Sequence, residues 1–132
     1  MRFAKAFITV ALVMLILDLA WLGIAAKPIY DAKLGPLRAQ ETVAVAAGLF
    51  YIQYVLVLVF FAVLPTASVK QAAKRGLLIG WVAYATYELT NWAVIEGWPA
   101  SLVLIDIAWG LFLTPLVAAS GRLVAGDPPD SD

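Results

Sequence analysis

Four stretches of the chain consist almost entirely of apolar residues, and they lie at about 6–26, 43–64, 77–95 and 101–118. A helix needs about 20 such residues to cross the hydrocarbon core of a bilayer. It also satisfies its backbone hydrogen bonds within the segment, as the interior of a membrane requires. The pattern therefore predicts an all-α, integral membrane four-helix transmembrane bundle over residues 1–125, followed by a polar, disordered tail at 126–132.

The composition agrees with this prediction, because 64% of the residues are hydrophobic and 14% are charged. Soluble domains are usually about 45–50% apolar and about a quarter charged. The chain has no cysteine and no histidine, which excludes disulfides, thiolate nucleophiles and histidine-based metal sites or catalytic triads. The formal net charge is zero, so no basic surface for nucleic acid is expected. We expect neither a cofactor nor a metal ion.

Lysine and arginine residues near the apolar stretches indicate the orientation of the chain. Six of them lie before the first stretch, between the second and third, or after the fourth: Arg2, Lys5, Lys70, Lys74, Arg75 and Arg122. Three lie between the first and second stretches: Lys27, Lys33 and Arg38. Because positively charged loops tend to remain in the cytoplasm, both termini are predicted to be cytoplasmic (N-in/C-in) in a bacterial inner membrane.

Three carboxylates, Asp18, Glu88 and Asp106, fall inside the apolar stretches. At a rise of about 1.5 Å per residue, they lie roughly 12, 10 and 7 Å from the outer edges of their helices. Ionisable groups at this depth normally face the interior of a bundle and mark functional sites. These three are therefore the candidate catalytic residues. Glu88 is expected to hold a proton readily, because burial disfavours its charged form.

Other polar and aromatic side chains belong to the same outer half and are the candidate ligand-binding residues: Trp21, Gln53, Tyr84, Asn91 and Trp109. On the third helix, the spacing of Tyr84, Glu88 and Asn91 places these side chains on one face. Four tyrosines allow two interpretations, as walls of a pocket or as interfacial anchors: Tyr51, Tyr54, Tyr84 and Tyr87.

A short repeat links the two ends of the chain, since Asp18-Leu19-Ala20-Trp21 matches Asp106-Ile107-Ala108-Trp109. The first and fourth helices run in opposite directions, so each tryptophan reaches the depth of the opposite aspartate. We therefore expect each carboxylate to accept a hydrogen bond from the opposing indole N–H. The alternative interpretation is that these residues only hold the helices together.

Four further features concern packing and the ends of the helices. The connection at 27–42 is long enough to fold over the outer mouth of the bundle, and its prolines and glycine oppose a full helix. Gly76 and Gly80 have the spacing that allows close helix packing in membranes. Trp92 and Trp98 suit the outer membrane interface. Pro115 is expected to kink the fourth helix.

These residues resemble an uncharacterised bacterial membrane-protein family, domain of unknown function 2177. The likeness covers about residues 3–124 and rests on five short motifs, at 18–23, 30–35, 83–91, 97–99 and 106–110. Members of this family often have aspartate at the position of Glu88. The glutamate of this chain keeps the carboxylate and has the longer reach. The resemblance implies the four-helix topology, and it implies no established activity.

Three functions agree with these features. The first, which we favour, is binding or modification of a lipid or another hydrophobic small molecule in an outward-facing polar pocket. Membrane lipids are then the expected partners. The second is a small proton-coupled transporter, a homodimer with Glu88 as the titrating residue. The third is a non-catalytic subunit or assembly factor, and the residues alone do not decide whether the protein is an enzyme.

Overall fold

The computed structural model describes residues 1–37, 39 and 41–128, and within this part the chain is helical and has no strand. The all-α prediction is confirmed. There are five α-helices in this part of the chain: α1 (Arg2–Ala20), α2 (Lys27–Leu34), α3 (Ala44–Leu58), α4 (Val69–Val94) and α5 (Ala100–Ala125). Helices α1 and α3 are each extended by a π-helical segment, Trp21–Ala25 and Val59–Val63 respectively. Helix α2 is followed by a 3-10 turn, Gly35–Leu37.

Three segments of the described chain are long and apolar enough to cross a membrane: Arg2–Ala25, Ala44–Val63 and Ala100–Ala125. The protein is therefore an integral membrane protein by its helix lengths and composition. Helix α4 has 26 residues, as many as α5, but its apolar part is interrupted by polar side chains.

Helix α5 is the centre of the packing. It contacts α1 along one side, α4 along another and the π-helical end of α3 on a third. The fully buried apolar core around it includes Val10, Leu58, Val63, Leu113 and Val117. The remaining faces of α1, α3 and α4 expose large apolar side chains, as helices in contact with lipid do.

The bounds of two helices extend beyond the apolar stretches that the sequence analysis identified. Helix α4 begins at Val69, because the hydroxyl of Ser68 accepts a hydrogen bond from the backbone N–H of Gln71 (3.2 Å). Its first two turns are polar and lie outside the predicted span 77–95. Helix α5 continues through Pro115 as far as Ala125.

Hydrogen bonds gather both termini and the α3–α4 connection at one end of the molecule. The guanidinium of Arg2 donates to the carbonyl of Gly126 (3.0 Å). The buried guanidinium of Arg122 donates to the carbonyls of Thr66 (3.0 Å) and Ala67 (2.9 Å). We call this end, defined by these five residues, the terminal end. Of the tail predicted to be disordered, residues 129–132 lie outside the described residues.

Helices α4 and α5 approach so closely that their backbones touch. An ideal Cβ placed on Gly80 would lie 2.6 Å from the carbonyl oxygen of Gly110, and one on Gly76 would lie 2.9 Å from the Cα of Pro115. These distances leave no room for a side chain. The predicted role of Gly76 and Gly80 in close packing is therefore confirmed.

Replacing Gly80 by alanine is expected to destabilise the protein by about 1–3 kcal/mol, because backbone atoms of α5 occupy the space of the new methyl group. The measurement is unfolding of the purified protein in neutral detergent, followed by circular dichroism. Gly48→Ala on α3 is the matched control, since nothing lies within 4 Å of a Cβ there. It should be neutral or slightly stabilising. Equal destabilisation of both variants would contradict this account of the helix contact.

Candidate functional site

A cavity of about 790 Å³ lies at the end of the bundle opposite the terminal end. All five helices and the connection between α4 and α5 contribute to its lining. The lining includes the three carboxylates Asp18, Glu88 and Asp106. These carboxylates are nearly buried, with 4%, 0% and 8% of their surface exposed. The structure therefore brings together the acidic residues that the sequence placed on three separate helices.

The carboxylate of Asp18 is held by donors from two other helices. The hydroxyl of Tyr51, on α3, donates to Oδ2 at 3.0 Å. The indole N–H of Trp109, on α5, donates to Oδ1 at 3.0 Å. The expected bond between Asp18 and the opposing tryptophan is confirmed. Both oxygens of this carboxylate therefore have a donor from the protein.

The second predicted bond, from the indole N–H of Trp21 to the carboxylate of Asp106, is wrong. The indole N–H of Trp21 donates instead to the hydroxyl of Tyr30 (3.2 Å), and this hydroxyl donates to Oδ1 of Asp106. The rings of Trp21 and Trp109 are stacked, with centroids 4.6 Å apart and planes inclined by 7°. Stacking fixes the direction of the Trp21 N–H, and the phenol of Tyr30 bridges the remaining gap to the carboxylate.

Helix α2 folds over the cavity and brings Tyr30 to this position. The hydroxyl–carboxylate bond to Asp106 and a bond from the Lys33 ammonium to the hydroxyl of Ser101 (2.6 Å) attach α2 to α5. Burial raises the pKa of Tyr30, so its hydroxyl remains a proton donor at neutral pH. The connection between the first two long helices thus covers one side of the site.

The carboxylate of Glu88 is only partly satisfied. The indole N–H of Trp98 donates to Oε2 at 2.8 Å. The other oxygen, Oε1, is buried and has no hydrogen-bond partner among the described residues. The carboxyl also lies beside that of Asp106, close enough for the two groups to interact directly. Two ionised carboxylates offer only acceptors, so a hydrogen bond between them requires a proton.

The walls of the cavity are mainly aromatic and aliphatic, and the wall between α3 and α4 is open. Helix α3 packs against α4 chiefly through its π-helical end, Val59–Val63, so the two helices diverge toward the cavity. Phe50 on α3 is 39% exposed and Val82 on α4 is 62% exposed, and both line the cavity. The edges of this opening are therefore apolar.

The floor of the cavity is formed where α3, α4 and α5 meet. The hydroxyls of Tyr54 and Thr114 are hydrogen-bonded at 2.8 Å. The ring of Tyr84 packs directly on Gly110, where any side chain would collide with it. Beyond this layer lies the buried apolar core, which separates the cavity from the terminal end.

Most of the candidate site residues meet around this cavity. Besides the three carboxylates, the lining contains four of the five predicted ligand-binding residues: Trp21, Gln53, Tyr84 and Trp109. Asn91, the fifth, is not among the lining residues. The four tyrosines that allowed two interpretations, at 51, 54, 84 and 87, all line the cavity. The catalytic and binding roles of these residues stay predictions.

Two residues of the site were missed as site residues by the sequence analysis. Tyr30 was expected only within a connecting segment, and Trp98 was placed at the membrane interface. A signal was present for each of them. Tyr30 is the only aromatic residue of the connection at 27–42. Trp98 stands between Gly97 and Pro99, two residue types that mark turns, and Gly97 has a positive φ of 79° in the structure.

The carboxylates do not form a metal-binding cluster. Among the residues that the structure describes, no three acidic side chains come close enough together to hold a metal ion. Glu88 and Asp106 form a pair, and Asp18 is bound separately by Tyr51 and Trp109.

Comparison with known protein families places the chain in one of them. Residues 3–123 match the family model described as Predicted membrane protein (DUF2177). No curated protein and no solved structure matches the chain. The matched region covers all five helices, apart from the first residue of α1 and the last two residues of α5. The chain therefore belongs to the DUF2177 family of predicted membrane proteins.

Proposed function

We propose that this protein binds a lipid or another hydrophobic small molecule with a polar head group in the cavity. The observation that carries the proposal is the combination of an apolar cleft, open between α3 and α4, with a polar group of carboxylates at its inner end. Its volume of about 790 Å³ lies within the range of small-molecule sites, roughly 300–1,000 Å³. An amphiphile could enter sideways from the bilayer through the cleft.

We also propose that α4 crosses the membrane, which makes four spans with both termini in the cytoplasm. The support comes from the terminal end, where Arg122 binds the carbonyls of the α3–α4 connection. Helix α3 ends there and so does α5, so the chain must return across the bundle between them. Helix α4, at about 1.5 Å per residue, is long enough to do so. The excess of lysine and arginine near the termini favours a cytoplasmic location.

Two observations favour binding over the alternative functions. A transporter needs a path to both sides, but the cavity ends at the Tyr54–Thr114 layer, and the buried apolar core lies beyond it. A purely structural set of polar residues would satisfy all its acceptors, because each unpaired buried group costs stability. Glu88 Oε1 is instead buried without a partner among the described residues. This atom is the one expected to meet a ligand.

The four-span topology predicts opposite accessibility of two loops. Because the chain has no native cysteine, single cysteines can report location without a background. Glu96→Cys, between α4 and α5, should react with a membrane-impermeant maleimide in intact cells. Lys74→Cys, near the start of α4, should react only after permeabilisation. Labelling of both positions from the same side would refute the crossing by α4.

Filling the cavity should abolish ligand binding. Ala83→Phe adds a ring at a lining position of α4 and leaves the three carboxylates in place. Ala93→Phe adds the same ring at an exposed position of α4 outside the lining. The probe is a long-chain alcohol with a terminal bromine, which quenches tryptophan fluorescence on contact. Trp81→Phe and Trp92→Phe remove the two tryptophans outside the lining from the signal.

We expect saturable quenching in the background protein and in the Ala93→Phe variant, and a loss of roughly tenfold or more in affinity with Ala83→Phe. Circular dichroism and unfolding in detergent check that both variants are folded. Equal quenching of the two variants would mean that the alcohol does not occupy the cavity, and the proposed function would then be wrong.

A further inference from the structure

We infer, on the basis of the proposed function, that the cavity selects amphiphiles with an amine head group, and that the ammonium lies between Glu88 and Asp106. Three features of the site favour such a ligand: the charges of the lining, the unpaired oxygen of Glu88 and the different hydrogen bonding of Asp18.

The ionisable groups that could carry a formal charge at neutral pH in the lining are all acidic. The lining includes three carboxylates, and no lysine or arginine is among the lining residues that the structure describes. The nearby Lys27 is paired with Asp31 at 2.8 Å, and Lys33 donates to Ser101 on the outside of α2. Carboxylates in an apolar environment require protons or a cation, because uncompensated burial of charge is very costly. A phosphate or carboxylate head group would add to the repulsion.

Oε1 of Glu88 lies in the pair with Asp106, and no donor group of the described residues gives it a hydrogen bond. Oε2 of Glu88 accepts from Trp98, whereas Oε1 is fully buried and unpartnered among the described residues. The adjacent Asp106 accepts from Tyr30 at Oδ1. An ammonium carries three N–H donors and no acceptor, so one such group can satisfy both carboxylates at once. An alcohol has a single donor and can satisfy only one of them.

Asp18 provides the contrast within the same cavity. Tyr51 donates to one of its oxygens and Trp109 to the other. A ligand at Asp18 would compete with donors that the protein already supplies. The pair formed by Glu88 and Asp106 is therefore the better site for a cation.

The surroundings of the pair also suit a cation attached to an apolar chain. Trp98 and Tyr87 pack edge to face, with ring centroids 6.1 Å apart, and both line the cavity. Aromatic rings attract organic cations as well as apolar surface. From this point the cleft between α3 and α4 leads past Val82 toward the lipid, which gives a long alkyl tail a continuous apolar path.

The test compares head groups on a constant tail. A long-chain primary amine, the matching alcohol and the matching alkyl phosphate, each with a terminal bromine, are titrated into the folded protein in neutral detergent. Tryptophan quenching is recorded in the Trp81→Phe/Trp92→Phe background, and the Ala83→Phe variant supplies the signal from partition into the micelle. We expect the amine to bind roughly tenfold or more tightly than the alcohol, with the phosphate weakest.

Substitutions assign the preference to the acidic pair. Glu88→Gln should bring the amine-to-alcohol affinity ratio close to one, and Asp106→Asn provides a second test if the first variant does not fold. Glu96→Gln removes an exposed carboxylate from the neighbouring connection and should keep the ratio of the parent protein.

The outcomes separate this inference from the proposed function. If the alcohol and the phosphate bind as tightly as the amine, or if the ratio survives both substitutions, the head-group inference is wrong and binding in the cavity stands. If no amphiphile gives saturable quenching above the Ala83→Phe signal, the proposed function itself is wrong.

Discussion

A carboxyl group inside an apolar helix bundle needs hydrogen-bond donors from the protein, because no bulk water is available to solvate it. In this protein the donors come from different parts of the chain. Tyr51 on α3 and Trp109 on α5 serve Asp18, and Tyr30 on α2 serves Asp106. The connection between α4 and α5 supplies Trp98 for Glu88. The hydrogen bonds to the three carboxylates therefore connect all the helices and the α4–α5 connection at the cavity end.

The opposite end is organised by backbone contact and by a buried arginine. Gly76 and Gly80 allow α4 to lie directly on α5, and α3 touches α4 chiefly at its π-helical end. The divergence of α3 and α4 from that contact produces the cleft. Arg122 closes the terminal end by donating to the carbonyls that follow α3. The same arrangement of helices is therefore closely packed at the terminal end and open at the cavity end.

The aromatic residues at the open end of the bundle have two roles. They donate to the carboxylates and also form the apolar walls, as Tyr51 does by both binding Asp18 and lining the cavity. Conservative changes such as tyrosine to phenylalanine remove only the first role. Glu88 differs from this pattern because one of its oxygens is left without a donor among the described residues.

The sequence by itself determined the all-α class, the membrane location and the end of the bundle that holds the acidic residues. Apolar stretches of sufficient length and carboxylates within them carry that information locally. It also predicted the bond between Asp18 and Trp109, because the antiparallel repeat sets both at one depth. Only the tertiary structure decided that Tyr30 stands between Trp21 and Asp106, and that Trp98 binds Glu88. These contacts depend on how two connections fold over the helices, and residue spacing along a helix does not encode the path of a connection.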